Sequence, residues 1–349
     1  MRAAVLNKGE ILVREDVDEP VPGLGQALVQ VKACGICGSD LHFAKHGASM
    51  LALGREMAGG MMADAGARPE LDLDQDVYMG HEFAAELLEL GPDTESDIKP
   101  GALVTAIPVL MGMGGVEPIV YSNTTKAGYG ERMLLTAPLL LEVPNGLPAE
   151  HAALTEPMAV GLHGVNKGRL QQGEGAIVLG CGPVGLACIA ALKVKGIGPI
   201  VAADFSPARR ALAVTMGADE AVDPREETAW AAWGRAGKGR TPVVFEAIGV
   251  PGIINDIMRS APAGARVVVV GVCMENDTIN PFFGISKELN IQFALGYDPM
   301  EFAGSLRSIA EGEIDVAPMV TAQVPLEKTP WAFEALGNPE EHCKIIVTP

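Results

Sequence analysis

Cysteine is scarce in this 349-residue chain. There are six, Cys34, Cys37, Cys181, Cys188, Cys273 and Cys343, too dispersed for a disulfide framework. Reduced thiols and a cytoplasmic location are expected. No run of about 18 apolar residues is present, so no membrane-spanning helix is expected. The opening residues Met1 to Lys8 hold no apolar core, so no secretory signal is expected. Basic residues are outnumbered, 26 Lys and Arg against 44 Asp and Glu, for a net charge of −18. Such a chain repels phosphate backbones and anionic membranes, which argues against nucleic-acid or membrane partners. Internal repeats and low-complexity tracts are also missing.

What remains is an ordinary globular composition, 48% hydrophobic and 20% charged, long enough for two domains. Its texture changes midway. Residues 1 to 157 hold short apolar runs broken by Gly, Pro and acids, such as 27–33, 103–106 and 133–135. These read as strands of a mainly β domain. Residues 158 to 295 alternate short buried-strand patterns (176–179, 200–203, 243–247, 266–270 and 291–296) with helical stretches at 183–195 and 206–216. That beat predicts a doubly wound parallel sheet covered on both faces. Residues 296 to 349 lack it and are expected to return to the first domain. The stretch from Gly47 to Met79 carries Met50, Met57, Met61 and Met62 without clear periodicity. It reads either as a lid or binding loop or as a surface excursion.

Gly180-Cys181-Gly182-Pro183-Val184-Gly185 is a G-x-G-x-x-G placed after a strand and before a helix. In that context the glycines permit a tight turn, close approach of a pyrophosphate, and close packing of helix on strand. The helix that starts at Pro183 and Val184 offers the free N–H groups of its first turn to phosphate. Asp204, about 20 residues on, ends the second strand, where an acid meets the ribose hydroxyls and repels a 2′-phosphate. NAD is therefore expected over NADP, although Arg209 and Arg210 follow closely and weaken the preference. Val270, Gly271 and Val272 end a later strand and are candidates to touch the nicotinamide ring.

Three segments of the first half carry metal-ligand chemistry: Cys34 to His42, Gly80-His81-Glu82, and Glu156-Pro157. Thiolate, imidazole and carboxylate suit zinc, and a catalytic zinc keeps one position open. Spacing alone does not prove a site from single scattered donors. In their order along the chain, however, Gly35-Ile36-Cys37-Gly38-Ser39-Asp40-Leu41-His42, Gly80-His81-Glu82, Glu156 to His163 and the glycine motif resemble the zinc-containing medium-chain dehydrogenases. The branch resembled is that of the sorbitol, threonine and butanediol dehydrogenases.

The resemblance implies a GroES-like catalytic domain joined to a Rossmann domain, an α/β fold, and oxidation of a secondary alcohol or polyol with hydride transfer to NAD. It implies Cys37, His81 and Glu156 as zinc ligands, with Glu82 binding directly or through water. Ser39 takes the substrate proton, His42 passes it to solvent, and Asp40 orients a ligand. It also implies a homodimer or homotetramer. The sequence departs from the family in places. Gly91 to Arg132 contains no cysteine, so one catalytic zinc and no structural zinc is expected; a Met- and Gly-rich stretch, Met111 to Gly115, stands there instead. Cys37 and His81 lie unusually far apart because of the Met-rich segment. Two other readings stay open: a zinc-free quinone or enoyl reductase of the same fold, and a non-enzymatic NAD-binding protein.

Overall fold

A computed structural model describes residues 1–61, 71–112 and 115–349. Met62, Met113 and Gly114 of the methionine-rich segments lie outside the described residues. Two compact units form: Met1–Leu154 with Val320–Gly337 and Lys344–Pro349, and Thr155–Met319 with Asn338–Cys343. The first boundary falls close to the expected 157. The return to the first unit starts at Val320 rather than 296. The helix Pro299–Ala310 stays with the second unit, packed on Thr155–Gly168.

The first unit is built around β1 (Gln26–Gly35), whose alternating side chains fill the core. A helix α1 (Gly38–Met61) follows almost at once. The segment expected to be irregular from Gly47 is thus helical up to Met61, because Ala, Leu, Met, Glu and Arg are good helix formers. Non-helical backbone at His46 (φ −130°) kinks it. Upstream of the kink Phe43 is fully buried, and Met50 packs on the same core. Next come β2 (Val77–Met79), β3 (Glu82–Leu90) and β4 (Tyr121–Ser122). β3 pairs antiparallel with β1, bringing Glu82 opposite Gly35, while β4 pairs with β2, Tyr121 opposite Met79.

The second unit opens with α2 (Thr155–Gly168) and then winds β5 (Ala176–Leu179), α3 (Pro183–Val194), β6 (Ile200–Ala203), α4 (Pro207–Met216), β7 (Glu220–Val222), β8 (Val243–Glu246), β9 (Arg266–Val269) and β10 (Asn290–Phe293). The six strands lie parallel in the order β7-β6-β5-β8-β9-β10. β5, β6 and β8 are buried along their whole length, as expected where both faces are covered. The strand order reverses at β5, so the crevice beyond its carboxyl end is the ligand-binding position of such sheets. After α5 (Pro299–Ala310) the chain adds β11 (Val320–Pro325) and β12 (Lys344–Thr348) to the first unit, β12 alongside β1. Among the described residues no helix is long and apolar enough to cross a membrane.

Candidate functional site

Cys37 occupies the turn between β1 and α1, and Ser39 and Asp40 lie in the first turn of that helix. The Asp40 and Leu41 amides donate to the Cys37 carbonyl, and the Cys37 amide faces Asp40 Oδ2 at 3.3 Å. His81 lies between Gly80 and the start of β3. That glycine has φ +105°, and a Cβ there would meet the Tyr129 backbone at 2.8 Å, so the tight entry to His81 demands glycine.

Asp40 is wholly buried. Its Oδ2 accepts from the Tyr129 hydroxyl at 2.6 Å, and its Oδ1 stands 3.6 Å from His81 Nδ1. The latter is an electrostatic contact rather than a hydrogen bond. With Nδ1 turned toward Asp40, the ring presents Nε2 on its other side. This is how a carboxylate behind a ligand histidine fixes ring orientation and raises donor strength. Burial pushes the Asp40 carboxyl up from its ordinary value, and His81 and the Tyr129 hydroxyl oppose that shift. Cys34 is buried and its thiol is pushed well up, mainly by burial. It is a core residue, not a donor.

Glu82 has a different commitment from the one expected. Both of its oxygens accept from Lys344 Nζ, at 2.8 and 2.7 Å, and Lys344 also donates to the Ile36 carbonyl at 2.9 Å. Both side chains are essentially unexposed. Glu82 thus ties β3 to β12 and braces the end of β1 instead of offering a donor beside His81. Lys344 was not legible as a site residue, because its partner is far away in sequence. Tyr129 escaped notice for the same reason.

Glu156 lies in the first turn of α2, in the second unit. Among the described residues no three His, Cys, Asp or Glu side chains are gathered closely enough to hold a metal; the first unit by itself contributes Cys37 and His81. Their donor types, and the Asp40 carboxylate behind His81, fit zinc.

His42 is half-buried on α1, its ring 4.8 Å from that of His46 one turn on. Beside Ser39 is a residue the sequence did not flag. The Tyr121 hydroxyl is buried, and the Tyr121 ring stacks on Phe43 with centroids 3.9 Å apart. Burial and the nearby Asp40 and Cys37 charges push this phenol up, while the adjacent Ser39 hydroxyl opposes the shift.

In the second unit the glycine motif adopts the expected turn. Gly180 has φ +92°, and a Cβ on Gly185 would fall 1.9 Å from the Gly180 carbonyl oxygen. Gly182 caps α3 and Pro183 begins it, leaving the first amides of the helix without a side-chain cap. Asp204 Oδ2 accepts from the Cys181 amide at 2.8 Å and Oδ1 from Ser206 at 2.8 Å, which joins the end of β6 to the glycine turn. The Arg209 guanidinium reaches toward Gly182. Arg210 instead bonds the Asp204 and Phe205 carbonyls and Asp223.

At the far side of the switch point, Glu246 was read only as a strand residue. It is buried, and its Oε1 accepts from Ile248 and Gly249 at 2.6 and 2.8 Å. The Val270 and Gly271 amides donate to its carbonyl at 2.9 Å. Glu246 therefore binds together the two loops at the carboxyl edge of β8 and β9. Val270 is buried there and Val272 is 61% exposed, so of the three residues expected near nicotinamide only Val272 presents a largely open side chain. On α2, His163 pairs with Glu301 at 2.7 Å, and Asn166 donates to the other oxygen of the same carboxylate.

Residues 23–160 match the model of the alcohol dehydrogenase GroES-like domain, and residues 183–311 match that of the zinc-binding dehydrogenases. The chain is 31% identical to the (R,R)-butanediol dehydrogenase of Bacillus subtilis (strain 168), covering 100% of both proteins. It is 28% identical to the sorbitol dehydrogenase of the same organism, over 100% of this chain and 97% of the relative. Among solved structures it resembles 2R,3R-butanediol dehydrogenase from Bacillus subtilis, with a TM-score of 0.82 and 29% identity over 100% of this chain and 99% of that one. It also resembles a Sinorhizobium meliloti 1021 structure bound to NADP and described as a zinc-binding dehydrogenase, with a TM-score of 0.81 and 28% identity over 100% of this chain and 99% of that one. The chain therefore belongs to the zinc-type medium-chain dehydrogenase/reductase family, in its sorbitol and butanediol branch, and is an oxidoreductase of the alcohol dehydrogenase kind.

Proposed function

We propose that the protein oxidises a secondary alcohol, of the vicinal-diol or polyol class, to the ketone with NAD, using one catalytic zinc per chain. The observation that carries this reading is the Cys37–Asp40–His81 arrangement. A thiol leads into α1, and an imidazole is backed at 3.6 Å by a fully buried carboxylate. A zinc-free reductase or a non-enzymatic nucleotide binder has no use for that device.

Cys37 and His81, with Glu156 as third donor, would hold the zinc. Bound there, the metal would supply a Lewis acid that makes an alcohol acidic near neutral pH. Ser39 would accept the hydroxyl proton and His42 would carry it toward solvent. Tyr129 keeps Asp40 oriented, and Asp40 keeps His81 turned. Glu82, held by Lys344, acts from behind as a brace.

For the nucleotide, Gly180, Gly182 and Gly185 with the start of α3 at Pro183 and Val184 would take the pyrophosphate. The Asp204 carboxylate would take the ribose hydroxyls and disfavour a 2′-phosphate. Arg209, beside Gly182, is the group that limits this preference. Val270, Gly271 and Val272 would flank the nicotinamide at the loops fixed by Glu246.

The assembly proposed is a homodimer or a dimer of dimers through β10. This is the edge strand of its sheet, and Phe293, Leu295, Phe282 and Ile285 near it are 64%, 87%, 66% and 73% exposed. Such an apolar edge invites pairing with a second copy. The proposed compartment is the cytoplasm, where the dispersed thiols stay reduced.

The experiment is NAD⁺ reduction followed optically across vicinal diols, polyols and hydrophobic mono-alcohols, with zinc measured on the same preparation. Diol or polyol turnover with about one zinc per chain supports the reading. Turnover by zinc-free protein, or of no alcohol at all, overturns it.

A further inference from the structure

The Tyr121 hydroxyl is the unexplained polar atom of this site. Its oxygen is buried and makes no hydrogen bond of acceptable geometry. It stands next to the Ser39 hydroxyl and close enough to Cys37 and Asp40 to feel their charges. Buried hydroxyls normally find a partner, and each exception asks for a reason.

The position of this hydroxyl is rigidly built. The Tyr121 ring stacks face to face on Phe43, interplanar angle 9°, one residue after His42 on α1. The Tyr121 backbone pairs with Met79, two residues before His81. The following turn is locked by Ser122 Oγ, which accepts from the Thr124 and Thr125 amides at 3.1 and 2.9 Å and donates to Glu117 at 3.0 Å. The phenol is thus anchored both to the helix that carries Ser39 and to the strand pair that leads into His81. A phenol is protonated at neutral pH, so it has one proton to donate.

We infer that Tyr121 is a specificity-determining residue: its hydroxyl donates a hydrogen bond to the substrate hydroxyl on the carbon next to the one oxidised. This rests on the proposed alcohol oxidation with Ser39 at the reacting hydroxyl. The group beside Ser39 then meets the neighbouring hydroxyl of a vicinal diol. A mono-alcohol leaves the phenol without a partner, and a buried polar group left unpaired is what rejects the analogue that lacks the matching group. Phe43, stacked on the ring, prevents it from swinging away to find another acceptor.

The test compares wild type with Tyr121→Phe, which keeps the ring and its stacking and removes only the hydroxyl. The substrates are butane-2,3-diol and butan-2-ol. The preference for the diol in kcat/KM should drop about tenfold, the scale of one hydrogen bond, through a lower value for the diol and an unchanged or higher one for the mono-alcohol. A second readout does not depend on turnover: calorimetric binding of the diol to the zinc-loaded protein with NADH should weaken about tenfold. An unchanged melting temperature shows that the variant is folded. An equal loss on both alcohols makes Tyr121 a support for Ser39 and overturns the inference, as does no change on either. Those two results leave alcohol oxidation standing. Absence of turnover of any alcohol by wild type instead removes that reading, and this one with it.

Discussion

Replacing Lys344 with Met should cost more stability than almost any other single change in the first unit. Lys344 and Glu82 side chains are each about 1% exposed. Removing the ammonium leaves the Glu82 carboxylate buried with neither of its two 2.7–2.8 Å donors, and frees the Ile36 carbonyl of its third. Breaking a buried pair on one side typically costs about 3–5 kcal/mol. At roughly 2–4 °C per kcal/mol for a unit of this size, the melting temperature should fall on the order of 10 °C. An uncharged replacement of both partners leaves no charge buried, so the double variant Glu82→Gln/Lys344→Met should recover most of the loss. Urea unfolding of wild type, both single variants and the double variant gives the coupling directly. A Lys344→Met loss within about 1 kcal/mol, the scale of an exposed pair, would refute the reasoning. So would a double variant as unstable as the sum of the singles.

Cys37→Ser should abolish stoichiometric zinc and turnover together, read by metal analysis and NAD⁺ reduction. Gly185→Ala should weaken NADH binding, read by fluorescence titration, since its Cβ would lie 1.9 Å from the Gly180 carbonyl oxygen; affinity equal to wild type would contradict the close approach. Asp204→Asn, which loses the charge but can still accept a hydrogen bond, should raise kcat/KM with NADP relative to NAD. Asp76 provides a pH test. Its carboxyl is held below the ordinary range, chiefly by the Arg14 hydrogen bond. A depressed carboxylate adds stability above its unfolded pKa of about 3.9 and loses it as pH falls through the folded value. The stability gap between wild type and Asp76→Asn should therefore be full above about pH 4 and close below it, as acid titrations of unfolding will show.

Much of this architecture can be read from the sequence because the interactions that fix it are local. The strand-glycine-helix order around Gly180 and the buried four-residue strands follow from residues near one another in the chain. The nucleotide unit emerged as expected for that reason. What escaped depends on long-range partners. Lys344 meets Glu82 from 262 residues further along the chain, and Tyr129 meets Asp40 across six intervening strands. Glu246 looks like any strand residue until its loops close over it. Tyr121 is marked only by the stacking of β4 on α1. The methionine-rich segment misled in the opposite direction. Frequent Gly and an unclear apolar period hid a helix whose residues favour helix individually, and the kink at His46 breaks the periodicity that would have revealed it. The late return to the first unit, at Val320, was obscured because α5 belongs to the second unit without a following strand of its sheet.

The central claim is zinc-dependent alcohol oxidation, and metal removal tests it most directly. NAD⁺ reduction with butane-2,3-diol should disappear when the purified protein is stripped of zinc by a chelator and return on adding about one equivalent per chain. Turnover that persists in the stripped protein, with no zinc detectable, would contradict the account.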